Sequence, residues 1–332
     1  MPIPINNNQS KIHVIALGGT ILCMSENQLR ENYNSPSINI DKLISLLPLD
    51  KKKFSITHEQ LLQKISHDIT HDDLFLIAKR VDAIANNDEI DGIVIVQGTN
   101  SIEETAYFIN LVINTKKPIV FTGAFRPYNA LGFDGIRNLY NSIILASHKQ
   151  TSALGAVLIF NDYIVTARDA SKSLWGDFSS YGVEVAGFIQ GNDIHIQKTG
   201  LKKHTYLSEF NINEVKTFPK IHIIYGHLGI DRMFVDTALA NNAKGIISAG
   251  MGKGYQPKEL ADALIQASKK GIFVVRCSRT GQGILNRDSK IDDQFGFIAG
   301  GSLNPQKAVI LLSVALSRTK DRNQIQRIFD EY

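Results

Sequence analysis

Gly92-Ile-Val-Ile-Val96, Gln97-Gly-Thr-Asn100 and Ser101-Ile-Glu-Glu104 are three consecutive blocks that read as a strand, a turn and the start of a helix. The first block is short, wholly apolar and β-branched, the pattern of a strand buried on both faces. The Gly-Thr turn ends it. Ser101 and Glu104 have the spacing of a capping box, so Ser101 is expected to cap a helix that starts there.

The same alternation runs outward in both directions. Upstream, Lys11–Leu17 reads as a buried strand ending at Gly18-Gly19, and Asp41–Leu47 and His71–Asn86 read as helices. The second helix carries Leu74, Ile77, Ala78, Val81 and Ile84 on one face. Downstream come a strand at Pro118–Thr122 and an amphipathic helix marked by Ile136, Leu139, Tyr140, Ile143 and Ile144. A strand at Leu154–Phe160 and a hairpin turn at Asn161-Asp162 follow. Lys198–Pro219 is polar and irregular and reads as a linker. Beyond it lie strands at Ile221–Tyr225, Gly245–Ala249 and Ile272–Arg276, with helices at Asp231–Asn241 and Pro257–Lys269. A final long helix opens at Asn304-Pro305.

The expected fold is α/β: two doubly wound domains with mainly parallel sheets covered by helices. The larger spans 1–198, a linker spans 199–219, and the smaller spans 220–332. Such sheets bind ligands at the carboxyl ends of their strands, which puts the loops after Leu17 and Val96 at one candidate site.

Composition narrows the function. Of 332 residues, 43% are hydrophobic and 20% charged, which is globular and not disordered. Lys plus Arg is 36 against 32 Asp plus Glu; the excess of +4 is spread along the chain, with no basic arm or nucleic-acid motif. No apolar run approaches the roughly 18 residues of a membrane span. Two cysteines exclude a disulfide scaffold. Met1–Ser10 lacks a basic start and an apolar core, so the expectation is a cytoplasmic protein. A periplasmic protein whose leader was replaced by an initiator Met would read the same.

Three segments carry reactive groups. Leu17-Gly-Gly-Thr20 permits a tight turn with close backbone approach and points a hydroxyl out of it. It lacks the dinucleotide and P-loop spacings. Gln97-Gly-Thr-Asn100 is a second Gly-Thr at a strand end. Arg168-Asp-Ala-Ser-Lys172 supplies a lysine that burial would make a base, which a weakly nucleophilic threonine needs. Other features have plain readings. Lys51–Lys53 is a solvated loop, Trp175 a core or interface residue, and Cys23 a buried small residue. His67 and His71, at i and i+4, have metal-ligand spacing on a helix but no H-E-x-x-H, so no metal is expected.

Across nearly its whole length the chain resembles the bacterial L-asparaginases, the type II-like branch of the asparaginase/glutaminase family. The resemblance rests on Leu17-Gly-Gly-Thr-Ile21, Gly98-Thr99 with Glu103-Glu-Thr-Ala-Tyr-Phe108, and Thr122-Gly-Ala with Arg126-Pro127. It continues through Asp134-Gly, Asn138-Leu-Tyr-Asn141, Arg168-Asp169, Val274-Val-Arg276, Leu303-Asn-Pro-Gln-Lys-Ala308 and Gln324-Ile-Gln-Arg-Ile-Phe329. It implies a cofactor-free amidohydrolase in which Thr20 attacks the amide carbon and forms an acyl-enzyme. Tyr33 falls at the position of a lid tyrosine that assists the nucleophile. Thr99 and Lys172 match the second Thr and its Lys, and Ser66 a serine for the substrate carboxylate. Backbone N–H groups near Thr99 and at the Gly123-Ala124 turn would hold the oxyanion, and Gly19, Gly98 and Ala124 fall in the substrate-binding backbone. The implied assembly is a homotetramer of intimate dimers, with a neighbour completing each site.

The departures from the family pattern cluster on ammonium recognition. Asn100 replaces an aspartate that binds the α-ammonium, and His67 replaces a common Gln. Lys290 takes the place of a glutamate supplied by the neighbour, and Gly226-His-Leu-Gly229 lacks an expected asparagine. Two carboxylates thus become an amide and a cation, a change from −2 to +1. A unit pair at about 4 Å is worth roughly 4 kcal/mol at an effective dielectric near 20, so a free amino acid should bind far more weakly. Three outcomes stay open: an amide without a free α-ammonium as substrate, weak asparaginase activity, or a non-catalytic binding homologue. A tRNA-dependent amidotransferase subunit is a further alternative, though it would normally bring an extra N-terminal region.

Overall fold

The computed structural model describes residues 9–29, 35–173, 185–197, 202–281 and 283–332. The chain forms two compact units, 1–212 and 213–332.

The first unit is built on an eight-stranded sheet. Its strands are β1 (Ser10–Gly18), β2 (Phe54–Lys64), β3 (Gly92–Val96), β4 (Ile119–Thr122), β5 (Ala156–Phe160), β6 (Tyr163–Thr166), β7 (Gly187–Gln190) and β8 (Asp193–Ile196). The spatial order is β2-β1-β3-β4-β5-β6-β7-β8. The first five run parallel and the last three are added antiparallel. Asn161 and Asp162 make the β5–β6 turn with φ of 49° and 68°, the left-handed pair that a two-residue hairpin needs.

Four helices cover this sheet: α1 (Ile40–Ser45), α2 (His71–Ala85), α3 (Ile102–Val112) and α4 (Gly135–Ala146). Val94, Val96 and Val120 share a core with Ile40 and Leu43 of α1 and with Leu139 and Ile143 of α4. Alternation along the strand turns Ile93 and Ile95 to the opposite face. α2 packs on β3, and α3 on β5. Thr70 starts α2 with a reciprocal cap: its hydroxyl accepts from Asp73 N–H at 3.2 Å, and Asp73 accepts from Thr70 N–H at 2.8 Å.

The second unit has a four-stranded parallel sheet in the order β12-β11-β10-β9. Its strands are β9 (Ile221–Tyr225), β10 (Gly245–Gly250), β11 (Phe273–Ser278) and β12 (Ile298–Ala299). The helices are α5 (Met233–Ala240), α6 (Lys258–Lys269), α7 (Pro305–Arg318) and α8 (Arg322–Glu331). Val235, Leu260, Leu264, Ile246 and Val274 form the core under α5 and α6, and α7 packs on β9, β10 and β11. Among the described residues, no helix is long and apolar enough to cross a membrane.

The structure corrects several expectations. β2 was not anticipated: Phe-Ser-Ile-Thr-His-Glu-Gln-Leu-Leu-Gln-Lys mixes polar and apolar residues because it is an edge strand, only half-buried. Thr57 and Glu59 on it are tied to His13 of β1 at 2.8 and 3.1 Å. The strand expected from Leu154 begins at Ala156, after a 3-10 turn over Lys149–Leu154. The final helix is two helices. Thr319 turns extended, and Asp321 caps α8 by accepting from Gln324 N–H at 2.8 Å. Residues 202–219 are irregular apart from a turn at Thr205–Leu207, yet Phe210, Ile212 and Val215 are buried. Within the first unit, Ser208 donates to the Leu111 carbonyl at 2.5 Å.

Candidate active site

Because β1, β2, β3 and β4 are parallel neighbours, the residues that follow them gather at one edge of the sheet. These are Gly19-Thr20, Ser66, Gly98-Thr99-Asn100 and Gly123-Ala124. The backbones at two of these turns touch. A Cβ on Gly19 would lie 2.2 Å from both the N and the Cα of Gly98, so neither chain tolerates a side chain at the crossing. Gly19 also holds φ +87°, a conformation that L side chains rarely adopt. Thr20 and Thr99 each follow one of these glycines, and both are 5% exposed. The contact therefore brings two nearly buried hydroxyl residues to one place.

Ser66 lies beneath the crossing. A Cβ on Gly98 would come within 2.7 Å of its Oγ. Ser66 Oγ accepts from Asn100 N–H at 3.0 Å, and Ser101 Oγ donates to the Ser66 carbonyl at 2.6 Å. Ser101 does begin α3, but its side chain caps no helical N–H. The expected capping box is absent because the hydroxyl is engaged in clamping the Ser66 loop. Gln97 Nε2 donates to Ser101 Oγ at 3.1 Å and to Thr105 Oγ1 at 3.0 Å, fixing the clamp from behind. Below Gly19, its N–H donates to the Lys64 carbonyl at 2.9 Å, and Lys64 in turn holds Asp73 at 2.7 Å.

Lys172 reaches this cluster. Its Nζ donates to Asn100 Oδ1 at 2.6 Å. Burial pushes the Lys172 ammonium below the ordinary lysine range, while the Glu103 carboxylate in the first turn of α3 acts in the opposite sense. A neutral amide at position 100 adds no counter-charge, so desolvation prevails.

The Gly123-Ala124 turn faces the same edge. Asn138 Nδ2 donates to the Gly123 carbonyl at 3.0 Å. In a trans peptide the following N–H points the other way, so Ala124 N–H is directed away from Asn138. Asp134 accepts from Phe125 and Arg126 N–H, both at 3.0 Å, and locks the turn. Among the described residues, the N–H groups of Thr99 and Ala124 meet no acceptor. Buried amides are nearly always paired, so these two are available to a ligand oxygen.

Of the sequence-derived candidates, Gly19, Thr20, Ser66, Gly98, Thr99, Asn100 and Ala124 gather at this edge, and Lys172 joins through Asn100. His67 sits on the rim, its Nδ1 3.4 Å from Asn100 Nδ2. His67 and His71 do not share a helix: His67 lies in the turn Ser66–Asp68, and His71 opens α2 after the Thr70 cap. Lys290 belongs to the second unit, exposed on a turn over Ser289–Asp293. Tyr33 and Trp175 lie outside the described residues. Cys23 is buried, as expected; its Sγ donates to the Gly19 carbonyl, and burial pushes the thiol up to about 12. Sequence reasoning missed Ser101 and Gln97 as clamps and Asp134 as the lock of the third turn. The only signal for these was their position within motifs read for other reasons.

Two strand-end Gly-Thr turns in backbone contact, with a half-buried lysine at their rim, make up the candidate site. Residues 11–201 match the asparaginase N-terminal domain and 220–329 the glutaminase/asparaginase C-terminal domain. The chain belongs to the asparaginase/glutaminase family of amidohydrolases. It is 35% identical to L-asparaginase 2 of Escherichia coli over 97% of this chain and 93% of that one. It is 34% identical to the glutaminase-asparaginase of Pseudomonas fluorescens, covering 97% and 91%. The crystal structure of a probable cytoplasmic L-asparaginase from Campylobacter jejuni superposes with a TM-score of 0.92 at 33% identity, covering 98% of this chain and all of that one. A probable periplasmic L-asparaginase of Haemophilus influenzae is also similar, at 34% identity.

Proposed function

We propose that this protein hydrolyses a side-chain carboxamide through an acyl-enzyme on Thr20, with recognition of the α-ammonium weakened. The observation that carries the reading is the Gly19–Gly98 backbone contact, which joins the two Gly-Thr turns. Thr20 Oγ attacks the amide carbon, and its proton passes to the leaving nitrogen as the C–N bond breaks and ammonia departs. The resulting ester is then cleaved by water, which regenerates the hydroxyl and releases the acid. Thr99 and Lys172 act as a pair. A neutral Lys172 accepts the Thr99 proton, a role favoured by its lowered pKa. The amides of Thr99 and Ala124 suit the oxyanion. The family resemblance supports Tyr33 as the assistant to Thr20, and a homotetramer in which Lys290 of a neighbour replaces a carboxylate at the ammonium end. No cofactor enters this chemistry.

The test is ammonia release from the wild type and Thr20→Ala with L-asparagine, D-asparagine, L-glutamine, N-acetyl-L-asparagine and succinamic acid. Turnover lost in Thr20→Ala is the expected result. Turnover that survives Thr20→Ala contradicts the assignment. A folded wild type silent on every amide favours the non-catalytic binding reading.

A further inference from the structure

The rim of the site can be followed atom by atom. Asn100 Oδ1 faces Lys172 Nζ, which always carries hydrogens, so the oxygen of the amide must be on that side. Asn100 Nδ2 then faces His67 Nδ1. An amide nitrogen has only hydrogens to offer, so His67 Nδ1 is the acceptor and its proton resides on Nε2. Ser66 Oγ already accepts from Asn100 N–H, and among the described residues no acceptor faces its hydroxyl hydrogen. Ser66 Oγ, Asn100 Oδ1 and His67 Nδ1 thus each already accept one hydrogen bond from within. Toward a ligand these three side chains present Ser66 O–H, the second Asn100 N–H and His67 Nε2–H, with Lys172 behind them. Asp68 Oδ1 lies 3.9 Å from His67 Nε2 and is exposed to water, and Glu103 is buried in α3.

We infer that this rim favours acceptors, and that the substrate is a monoamide of a short dicarboxylic acid carrying no free α-ammonium. The inference deepens the Thr20 reading and rests on it. An ammonium placed among these groups would set donor against donor. A carboxylate or a carbonyl oxygen meets three hydrogens there. The substrate carboxylate accepts from the Ser66 hydroxyl, the role the family resemblance implies, and the opposite side favours an acceptor or a plain methylene.

The experiment compares kcat/KM of the wild-type protein for succinamic acid, N-acetyl-L-asparagine and L-asparagine by ammonia release. Succinamic acid should exceed L-asparagine by about 100-fold, the upper order of what one or two mispaired polar groups cost. N-acetyl-L-asparagine exceeding L-asparagine supports the same conclusion. Asn100→Asp should narrow or invert the ratio, since it restores an acceptor at the rim. Calorimetry on Thr20→Ala separates recognition from chemistry, and succinamate should bind more tightly than L-asparagine there as well. Wild-type preference for L-asparagine overturns this inference while leaving the Thr20 mechanism in place. Thr20-independent turnover, or none on any of the three, overturns the mechanism and this inference together.

Discussion

The two units carry the same kind of edge and use it in opposite ways. Each has parallel strands whose carboxyl ends open into loops. In the second unit that edge is filled from within. Arg276 on β11 is 5% exposed and directs Nε and Nη2 to Asp292, at 2.9 and 2.5 Å. Its Nη1 donates to the Lys253 carbonyl at 2.7 Å, and Nη2 also reaches the Asn286 carbonyl at 3.0 Å. Asp292 in turn accepts from Asp288 N–H at 2.8 Å. Ser278 and Arg279 donate to the Gly252 and Gly226 carbonyls, both at 2.6 Å. In the first unit the loops lock one another through backbone contacts and one serine clamp, and the amides of Thr99 and Ala124 are left over. At this first edge the scaffold is held by groups other than those the proposed chemistry needs.

Breaking each edge at its centre should give different failures. Thr20→Ala should lower kcat by at least about 10⁴-fold, as loss of a nucleophile does, with an unchanged unfolding curve. Asp292→Ala leaves a buried guanidinium without its counter-ion and should destabilise the second unit by about 3–5 kcal/mol in urea unfolding. A loss below about 1 kcal/mol there would mean that Arg276 finds water, and the closed-edge description would fall. Gly19→Ala forces a Cβ into the Gly98 backbone at a positive φ and should cost about 100-fold in kcat/KM, since small displacements of reacting groups have effects of that order.

Smaller changes sharpen the contrast. If neutral Lys172 is the working base, kcat/KM rises with pH as its proton leaves, at a pH below the ordinary lysine value. Asn100→Asp adds a negative charge against the ammonium and favours the protonated form, so this limb should move to higher pH. A limb that stays in place in the pH profile would remove Lys172 from the mechanism. Ser101→Ala should cost about 0.5–1.5 kcal/mol of stability by freeing the Ser66 carbonyl, with helix content by circular dichroism unchanged. A loss of helix would restore the capping role that the structure denies to Ser101.

These details also mark the limit of what the chain's order of residues conveys. The buried strands β1, β3 and β4 are legible because burial on both faces demands uninterrupted apolar runs. β2 is not, because an edge strand half-covered by helices can be polar at alternate and even adjacent positions. Gly19 and Gly98 are legible as turns, but their contact depends on β1 and β3 being adjacent, which no local pattern states. Asn100 and Lys172 are 72 residues apart and meet through tertiary packing. Ser101 shows the converse case: a valid local signal lost to a better partner in space. The break between α7 and α8 was signalled by Asp321 three residues before Gln324, a cap within an otherwise helical stretch.

The proposed chemistry requires that Thr20, and not Thr99, carries the substrate. Acid quenching of the wild-type protein during turnover of succinamic acid, followed by peptide mapping in a mass spectrometer, answers this directly. The prediction is an acyl ester on the peptide bearing Thr20, absent from Thr20→Ala. An ester on Thr99 instead would contradict it.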